Sequence, residues 1–238
     1  MALNTERRFM AATTVDRAVI DEGLRAYMLR VYNYMASGLA LTGIVAYVVA
    51  NTPAVYEAIF GSGLFWVVAL APLGVVFFLS ARVGRMSAGA AQTWFWIFAG
   101  MMGLSLASIF VVYTGASIAR VFFITAGAFG ALSLYGYTTK RDLTGWGSFL
   151  FMGLIGIIIA SVVNIFLASA MMQFVISVIG VLVFTGLTAY DTQAIKSMYL
   201  ESDEVAVTEK KSIMGALRLY LDFLNLFLLL LQLFGSRE

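Results

Sequence analysis

The 238-residue chain contains no cysteine and no histidine. Without cysteine it cannot form disulfides, bind metals through thiolates or use a thiol nucleophile. Without histidine it lacks the side chain that binds metals most often and that titrates closest to neutral pH. Any response to pH near neutrality must therefore come from carboxylates or amines in unusual surroundings.

Charged residues are also scarce, because they make up 12% of the chain while hydrophobic residues make up 61%. Soluble domains are typically about half apolar and about a quarter charged. A chain of this size cannot bury so much apolar surface in water. With a mean hydropathy of +0.92, the composition predicts a membrane protein, and no signal-peptide pattern precedes the first apolar run.

Seven apolar segments are long enough to cross a bilayer, since a spanning helix needs roughly 20 residues. Only a few residues around 169–172 separate the fifth from the sixth, which predicts a tight helical hairpin. The sequence therefore predicts an all-α membrane protein with a cytoplasmic tail at 1–24 and a seven-helix domain at 25–238. The segments lie at 29–50, 64–81, 92–113, 117–137, 147–169, 171–195 and 213–234.

Glycine pairs recur within four of these segments. Small residues let transmembrane helices approach closely, because lipid supplies little hydrophobic drive for their association. We therefore expect these glycines to lie at helix contacts. The pairs are Gly38 and Gly43, Gly100 and Gly103, Gly127 and Gly130, and Gly153 and Gly156.

Basic residues occur in alternate connections, as the positive-inside rule predicts for a correct count of spans. They lie in the N-terminal tail and in the second, fourth and sixth connections, whereas 51–63, 114–116 and 169–172 hold none. This pattern predicts a cytoplasmic N-terminus and a C-terminus on the opposite side. The hydrophilic connection 196–212 is expected to be a solvated cytoplasmic loop, partly helical at its ends.

Two carboxylates interrupt the apolar segments: Asp191 near the end of the sixth and Asp222 within the seventh. An ionisable group at membrane depth is costly and usually marks a function. Because both segments meet at one connection, the two side chains can lie at similar depth and face each other. Two carboxylates in contact share a proton and titrate in coupled steps. The pair therefore predicts a proton sensor, and its deprotonated oxygens suit calcium.

Basic and amide side chains near this pair are candidates to hold it or to extend a polar path. Arg218 lies four residues before Asp222, on the same helix face, and Arg82 and Arg85 end the second segment. The alternative is that Asp222 only pairs with Arg218 and Asp191 only ends a helix. The amides that we assign to a polar pathway are Asn164, Gln193 and Asn225, with Gln232 further along the same helix.

Four stretches, in this order, resemble the Bax inhibitor family. They are MGLSLASIF at 102–110, YGYTTKRDLTGWGSFLFMGLIGIIIASVVNIF at 135–166, VFTGLTAYDTQAIK at 183–196 and GALRLYLDFLNLFLLLLQLFG at 215–235. The short N-terminal tail is similar to that of bacterial members, which indicates the inner membrane. The resemblance implies seven helices, with the C-terminal helix in the centre and the other six around it.

The resemblance also implies a pH-sensitive calcium leak in which Asp191 and Asp222 form a dyad between the sixth and seventh helices. In that family an arginine of the second helix latches the dyad, for which Arg82 and Arg85 are both candidates, with Arg218 as a substitute. The implied partners are lipid, calcium and protons, with no cofactor and no nucleic acid.

Three functions fit these features. The first is a proton-gated calcium leak, which is not an enzyme. The second is an interaction protein that modulates a membrane protease or another channel, with the tail and 196–212 as docking surfaces. The third is an intramembrane aspartyl protease, because Tyr190 precedes Asp191, although the GxGD-type turn of such proteases is absent around Asp222.

Overall fold

The computed structural model describes the backbone of residues 2–237 and the side chains of residues 21–237. Nearly all of this part of the chain is helical, and the long apolar runs account for most of the helices. A 3-10 turn, Val83–Arg85, follows the third helix. The α-helices are α1 (Ala2–Ala50), α2 (Pro53–Phe60), α3 (Leu64–Arg82), α4 (Ala88–Leu106), α5 (Ile109–Val112), α6 (Gly115–Thr138), α7 (Thr144–Leu167), α8 (Ala170–Ser197) and α9 (Val205–Phe234).

Seven stretches of this fold are long and apolar enough to cross a bilayer, which confirms the predicted number of spans. The helices extend beyond the apolar runs because charged residues continue them toward the membrane surfaces. The last span thus begins at Val205 rather than near residue 213. α4 and the short α5 together form the third span, Ala88–Val112. No side chain before Asp21 is described, so the location of the tail 1–24 stays a prediction.

The C-terminal helix α9 lies at the centre of the bundle, as predicted. In its most apolar stretch 67% of the residues are buried, compared with 11–33% in the other spans. α9 packs against α1, α4, α6 and α8, while α3 packs on α4 and α7 packs on α8. Four helices therefore surround α9 directly, and α3 and α7 complete the outer layer.

The connection between α8 and α9 is much shorter than the hydrophilic segment 196–212. α8 continues to Ser197 and α9 begins at Val205, which confirms that both ends are helical. Lys211 forms an ion pair with Asp203 at 2.5 Å and donates a hydrogen bond to the carbonyl oxygen of Met198 at 2.8 Å. The loop is thus folded against the end of α9 instead of being fully solvated.

The glycine pairs are only partly used for helix contacts. Gly38 lies against Phe95, Gly103 against the main chain of Thr42, and Gly153 against Val183. The expectation is wrong for the remaining five, because a Cβ added there would meet no atom within 4 Å. These are Gly43, Gly100, Gly127, Gly130 and Gly156.

The closest approach of α6 and α8 depends on Gly136. A Cβ at this position would overlap the carbonyl oxygen of Ala189, a main-chain atom that cannot move without its helix. We expect Gly136→Ala to lower the free energy of unfolding by about 2 kcal/mol. Thermal unfolding in detergent would measure this. Gly127→Ala on the same helix is the matched control and should raise the free energy of unfolding by about 0.5–1 kcal/mol, because alanine is the better helix former and its Cβ meets no atom there; equal stability of the two variants would contradict the prediction.

The predicted hairpin between the fifth and sixth spans is confirmed. α7 ends at Leu167 and α8 begins at Ala170, with the Ser169 hydroxyl accepting a hydrogen bond from the Met172 amide. Ala168 completes the turn with a φ of 47° and a ψ of 35°, and its amide donates to the carbonyl oxygen of Asn164. This left-handed conformation is strained for any residue with a Cβ.

We therefore expect Ala168→Gly to raise the free energy of unfolding by about 0.5–1 kcal/mol, because relief of the strain exceeds the extra freedom of the unfolded chain. Ala160→Gly, in the interior of α7, should lower it by about 1 kcal/mol. Unfolding of both variants in the same detergent would test this, and a loss of stability in Ala168→Gly would contradict it.

Candidate functional site

The two membrane carboxylates lie close together in the interior of the bundle. Asp191 lies two turns before the end of α8 and Asp222 near the middle of α9. Their residues are 8% and 5% exposed, and their carboxyl groups lie within hydrogen-bonding reach of each other. A hydrogen bond between two carboxyl groups needs a proton on one of them. A shared proton would therefore join the two side chains, whereas two full negative charges at this distance would repel each other.

The packing of α8 against α9 brings the two aspartates to the same depth. The two helices run along each other and are joined by only residues 198–204. Gly215 and Gly180 allow this approach, because a Cβ at either would meet the side chain of the facing helix, Ile195 or Leu229. The sequence thus places one glycine at this contact on each of the two helices that carry the aspartates.

Among the described side chains, one cation reaches the pair. Arg218 Nη1 lies 3.4 Å from Asp191 Oδ1, and the arginine side chain is 44% exposed. Arg218 also lines a cavity of about 190 Å³ between α3, α8 and α9, together with Ser80 and Met198. The residue therefore contacts the buried carboxyl pair and borders a space large enough for water.

One oxygen of the pair has no hydrogen-bond partner. Among the side chains of residues 21–237, Asp222 Oδ2 and Tyr27 Oη are the only buried polar atoms that lack a hydrogen-bond partner. Leaving a buried carboxyl oxygen unpaired costs free energy unless a proton, water or cation satisfies it. The site therefore has one unused acceptor beside the two neighbouring carboxyl groups.

The three candidate latch residues lie in different surroundings. Arg82 and Arg85 are exposed at the end of α3 and in the turn after it, and neither forms an ion pair with the described carboxylates of residues 21–237. Arg218 contacts Asp191, although its spacing in sequence had placed it beside Asp222. The geometry thus favours Arg218 among the three, and its latching role stays a prediction.

The three amides that were assigned to a polar pathway lie in three separate places. Asn164, at the end of α7, donates to Gln173 at 3.2 Å and accepts from the Ser169 amide at 3.1 Å. Asn225 donates to the carbonyl oxygen of Leu221 within α9. In this structure the described side chains of Asn164, Gln193 and Asn225 do not form one continuous path.

Gln193 holds the connection between α6 and α7. Its amide group donates to the carbonyl oxygen of Arg141 and accepts from the Leu143 amide, both at 2.8 Å. In the same connection the Thr144 amide donates to Asp142 Oδ1 at 2.8 Å, and the hydrogen bonds from Thr144 lower the pKa of that exposed carboxyl. These contacts order the surface loop at this end of α7.

A chain of hydroxyl groups links α1, α6 and α8, and the sequence alone did not predict it. Tyr32 Oη lies 2.6 Å from Ser133 Oγ, which lies 2.9 Å from Thr192 Oγ1. Thr192 in turn donates to the carbonyl oxygen of Thr188. The available signal was the spacing of four residues between the two threonines of α8, which puts them on one helix face.

The described residues offer no complete metal site. No group of three or more acidic residues lies close enough to share an ion among the side chains of residues 21–237. Two carboxyl groups alone leave most of the six to eight oxygen ligands of calcium to water or main-chain carbonyls. Such a site favours weak binding over permanent retention of the ion.

α9 continues without a break past Asp222 from Val205 to Phe234. A protease that cleaves within the membrane needs room for an unwound substrate and for water beside its carboxyl pair. The helix around Asp222 shows no turn that supplies this room, and the site contains only the geometry of two neighbouring carboxyl groups.

Comparisons with known proteins agree with this architecture. The model of the family described as "Inhibitor of apoptosis-promoting Bax1" matches residues 24–238. The inner membrane protein YbhL of Escherichia coli is 51% identical over 219 residues, covering 91% of this chain and 94% of YbhL. An uncharacterized protein of Rickettsia prowazekii is 51% identical over 226 residues, covering 95% and 96%.

A more distant relative is an uncharacterized membrane protein of Streptococcus pyogenes, which is 34% identical over 230 residues, covering 92% of this chain and 96% of its own. The family model thus extends over nearly all of the seven spans, and the relatives from Escherichia coli and Streptococcus pyogenes are described as membrane proteins. The chain belongs to the Bax inhibitor family of integral membrane proteins.

Proposed function

We propose that the protein is a pH-sensitive calcium leak channel of the bacterial inner membrane, gated by Asp191 and Asp222. The observation that carries the proposal is the contact of two buried carboxyl groups, one with an oxygen that lacks a partner, inside an apolar bundle. Family membership and the inner-membrane location of YbhL support it. The orientation with a cytoplasmic N-terminus is part of the proposal.

The closed state is the one in which the pair holds a proton. One hydrogen bond then joins α8 to α9, and the apolar surface of α9 fills the centre of the bundle. When the proton leaves, two negative charges lie in contact at low dielectric and repel each other strongly. Arg218 is the one charged group beside the pair among the described residues, and it offsets part of this repulsion.

A divalent cation removes the remaining repulsion. Calcium accepts carboxylate oxygens in flexible geometry and completes its shell with water. Because the pair supplies few ligands, a bound ion can leave on the other side, as conduction requires. Calcium is therefore the transported ion, and the protein needs no resident cofactor.

The expected response to pH is graded. One proton supplies about 1.4 kcal/mol per pH unit, which is a tenfold change in an equilibrium constant. A full change from 1:99 to 99:1 needs about 5.5 kcal/mol. Between pH 6 and 8 a single titrating proton therefore changes the open fraction by at most about a hundredfold.

Calcium flux into liposomes tests the proposal. Purified protein is reconstituted with a calcium indicator inside the vesicles, and the initial rate of calcium entry is recorded from pH 6 to 8. We expect the rate to rise with pH and to exceed that of protein-free vesicles at every pH. A rate equal to that of empty vesicles, or one that does not vary with pH, would contradict the proposal.

The intramembrane protease and the interaction protein stay alternative hypotheses. The continuous α9 gives the intramembrane protease no structural support. The interaction protein is compatible with transport, and its test is co-purification of a stoichiometric membrane partner in mild detergent.

A further inference from the structure

A cavity of about 450 Å³ lies between α1 and α6. Most of its lining is apolar, with Met28 and Met35 on α1 and Phe129 on α6. Leu29 and Leu134 line it as well and are 52% and 62% exposed, so that the cavity opens on the face of the bundle that meets lipid. Its volume falls within the range of ligand sites, about 300–1,000 Å³.

The cavity exists because α1 and α6 both pack against α9 but make few contacts with each other. Gly130 widens it, since a Cβ at this position would meet no atom within 4 Å. Helix pairs in membranes usually close such gaps through small residues. Here the small residue is used to leave space, which an elongated apolar molecule can fill.

One end of the cavity is basic. Arg25 lines it, is exposed and forms no ion pair with the described carboxylates of residues 21–237. Tyr137 lines the cavity as well, and Lys196 Nζ lies 4.9 Å from the centre of its ring. The lining thus combines an apolar groove with positive charge, which matches the two parts of an anionic phospholipid.

The length of the groove fits one leaflet. From Arg25 to Met35 the axis of α1 advances about 15 Å, which is half of the ~30 Å hydrocarbon core. A phosphate bound by Arg25 at the membrane surface would therefore leave an acyl chain to follow the groove toward the bilayer centre.

We propose that the groove between α1 and α6 binds an anionic phospholipid, with its phosphate on Arg25 and one acyl chain along Met28, Met35 and Phe129. The wall of the groove also contacts α8, because Tyr32 and Ser133 line it and Ser133 Oγ lies 2.9 Å from Thr192 Oγ1, on the residue that follows Asp191. Binding does not depend on calcium transport, so the two proposals stand or fall separately.

Native mass spectrometry of the full chain in detergent tests this site. The protein is mixed with phosphatidylglycerol or with phosphatidylcholine of the same acyl chains, and the lipid-bound fraction is counted. We expect phosphatidylglycerol to bind about fivefold more tightly, the effect of one basic residue on an anionic lipid. Inorganic phosphate at the same concentration should not displace it, since phosphate lacks the acyl chain.

Three variants decide the outcome. Arg25→Gln should reduce the preference for phosphatidylglycerol to less than twofold, and Gly130→Leu should reduce binding of both lipids at least fivefold by filling the groove. Gly127→Leu adds the same side chain to an open position of α6 that does not line the groove, and this variant should bind both lipids as wild type does.

An unchanged preference in Arg25→Gln, or unchanged binding in Gly130→Leu, would overturn the proposal. Because Arg25 is exposed, its variant is informative even if Gly130→Leu folds poorly.

Discussion

Replacing Asp191 and Asp222 together by asparagine is expected to abolish the rise in calcium flux between pH 6 and 8. Asparagine keeps the size and the hydrogen bonding of the carboxyl groups, so the bundle can stay closed. The variant has no proton to lose and no negative charge for calcium, and its flux should stay at or below that of wild type at pH 6. Flux into proteoliposomes at equal protein density measures the difference, which reaches about a hundredfold at pH 8.

The control for this variant is Asp142→Asn, which removes an exposed carboxylate from the α6–α7 connection. Its flux should follow the pH profile of wild type. Each single asparagine variant keeps one carboxyl group, which titrates without a partner, and should show a weaker pH dependence. A double variant that carries calcium with the wild-type profile would refute the gating role of the pair.

Replacing Arg218 by glutamine should move the pH of half-maximal flux upward. The guanidinium favours the deprotonated pair, and without it a higher pH is needed to remove the proton. An adjacent opposite charge shifts a titration by about one to three units. Because Arg218 is 44% exposed, solvent screens its charge and a shift of about one unit is expected. The same reconstituted flux assay, run in small pH steps, gives the midpoint.

Arg82→Gln and Arg85→Gln are the matched comparisons, since both arginines were candidates for the same role and neither contacts the pair. Their midpoints should equal that of wild type, and Arg218→Lys should lie between wild type and Arg218→Gln because lysine keeps the charge but not the reach. A shift in Arg82→Gln or Arg85→Gln with none in Arg218→Gln would assign the latch to the second span instead.

Hydropathy was sufficient to predict the spans and the hairpin at 169–172, because the need for about 20 apolar residues per span is independent of packing. It was not sufficient to set helix ends. Val205 begins a span that the apolar run places several residues later, and Ala88 begins the third span four residues before the predicted segment at 92–113. Charged residues continue a helix into the membrane surface at little cost, so that the apolar run in the sequence is shorter than the helix.

The aspartate pair was predictable because carboxylates are rare in apolar segments and both helices meet at one short connection. The contacts of the two aspartates with other side chains were harder to predict. Spacing along α9 placed Arg218 beside Asp222, whereas its long side chain reaches across to Asp191. Gln193 follows Asp191 closely in sequence but turns to the opposite side of α8, where it binds Arg141 and Leu143. Such contacts depend on how each helix is rotated about its axis, which the sequence alone does not show.

The hydroxyl chain and the groove depend on which helices touch, which one sequence does not show. Glycine pairs indicated close packing throughout, yet Gly130 faces a cavity while Gly136, six residues later, faces the main chain of α8. Thr192 is an ordinary residue in an apolar helix until Ser133 of another helix lies beside it.

The central claim is that the buried pair holds a proton which it releases as the channel opens. Infrared difference spectroscopy of the reconstituted protein reports this directly, through the carbonyl stretching band of a protonated carboxylic acid. A carboxylic acid in water is ionised above pH 6 and gives no such band there. The account predicts a band at pH 6 that is lost by pH 8 in step with the rise in calcium flux, and that is absent from the Asp191→Asn, Asp222→Asn double variant. Absence of this band from the wild-type protein at every pH between 6 and 8, or its persistence unchanged in the double variant, would contradict the claim.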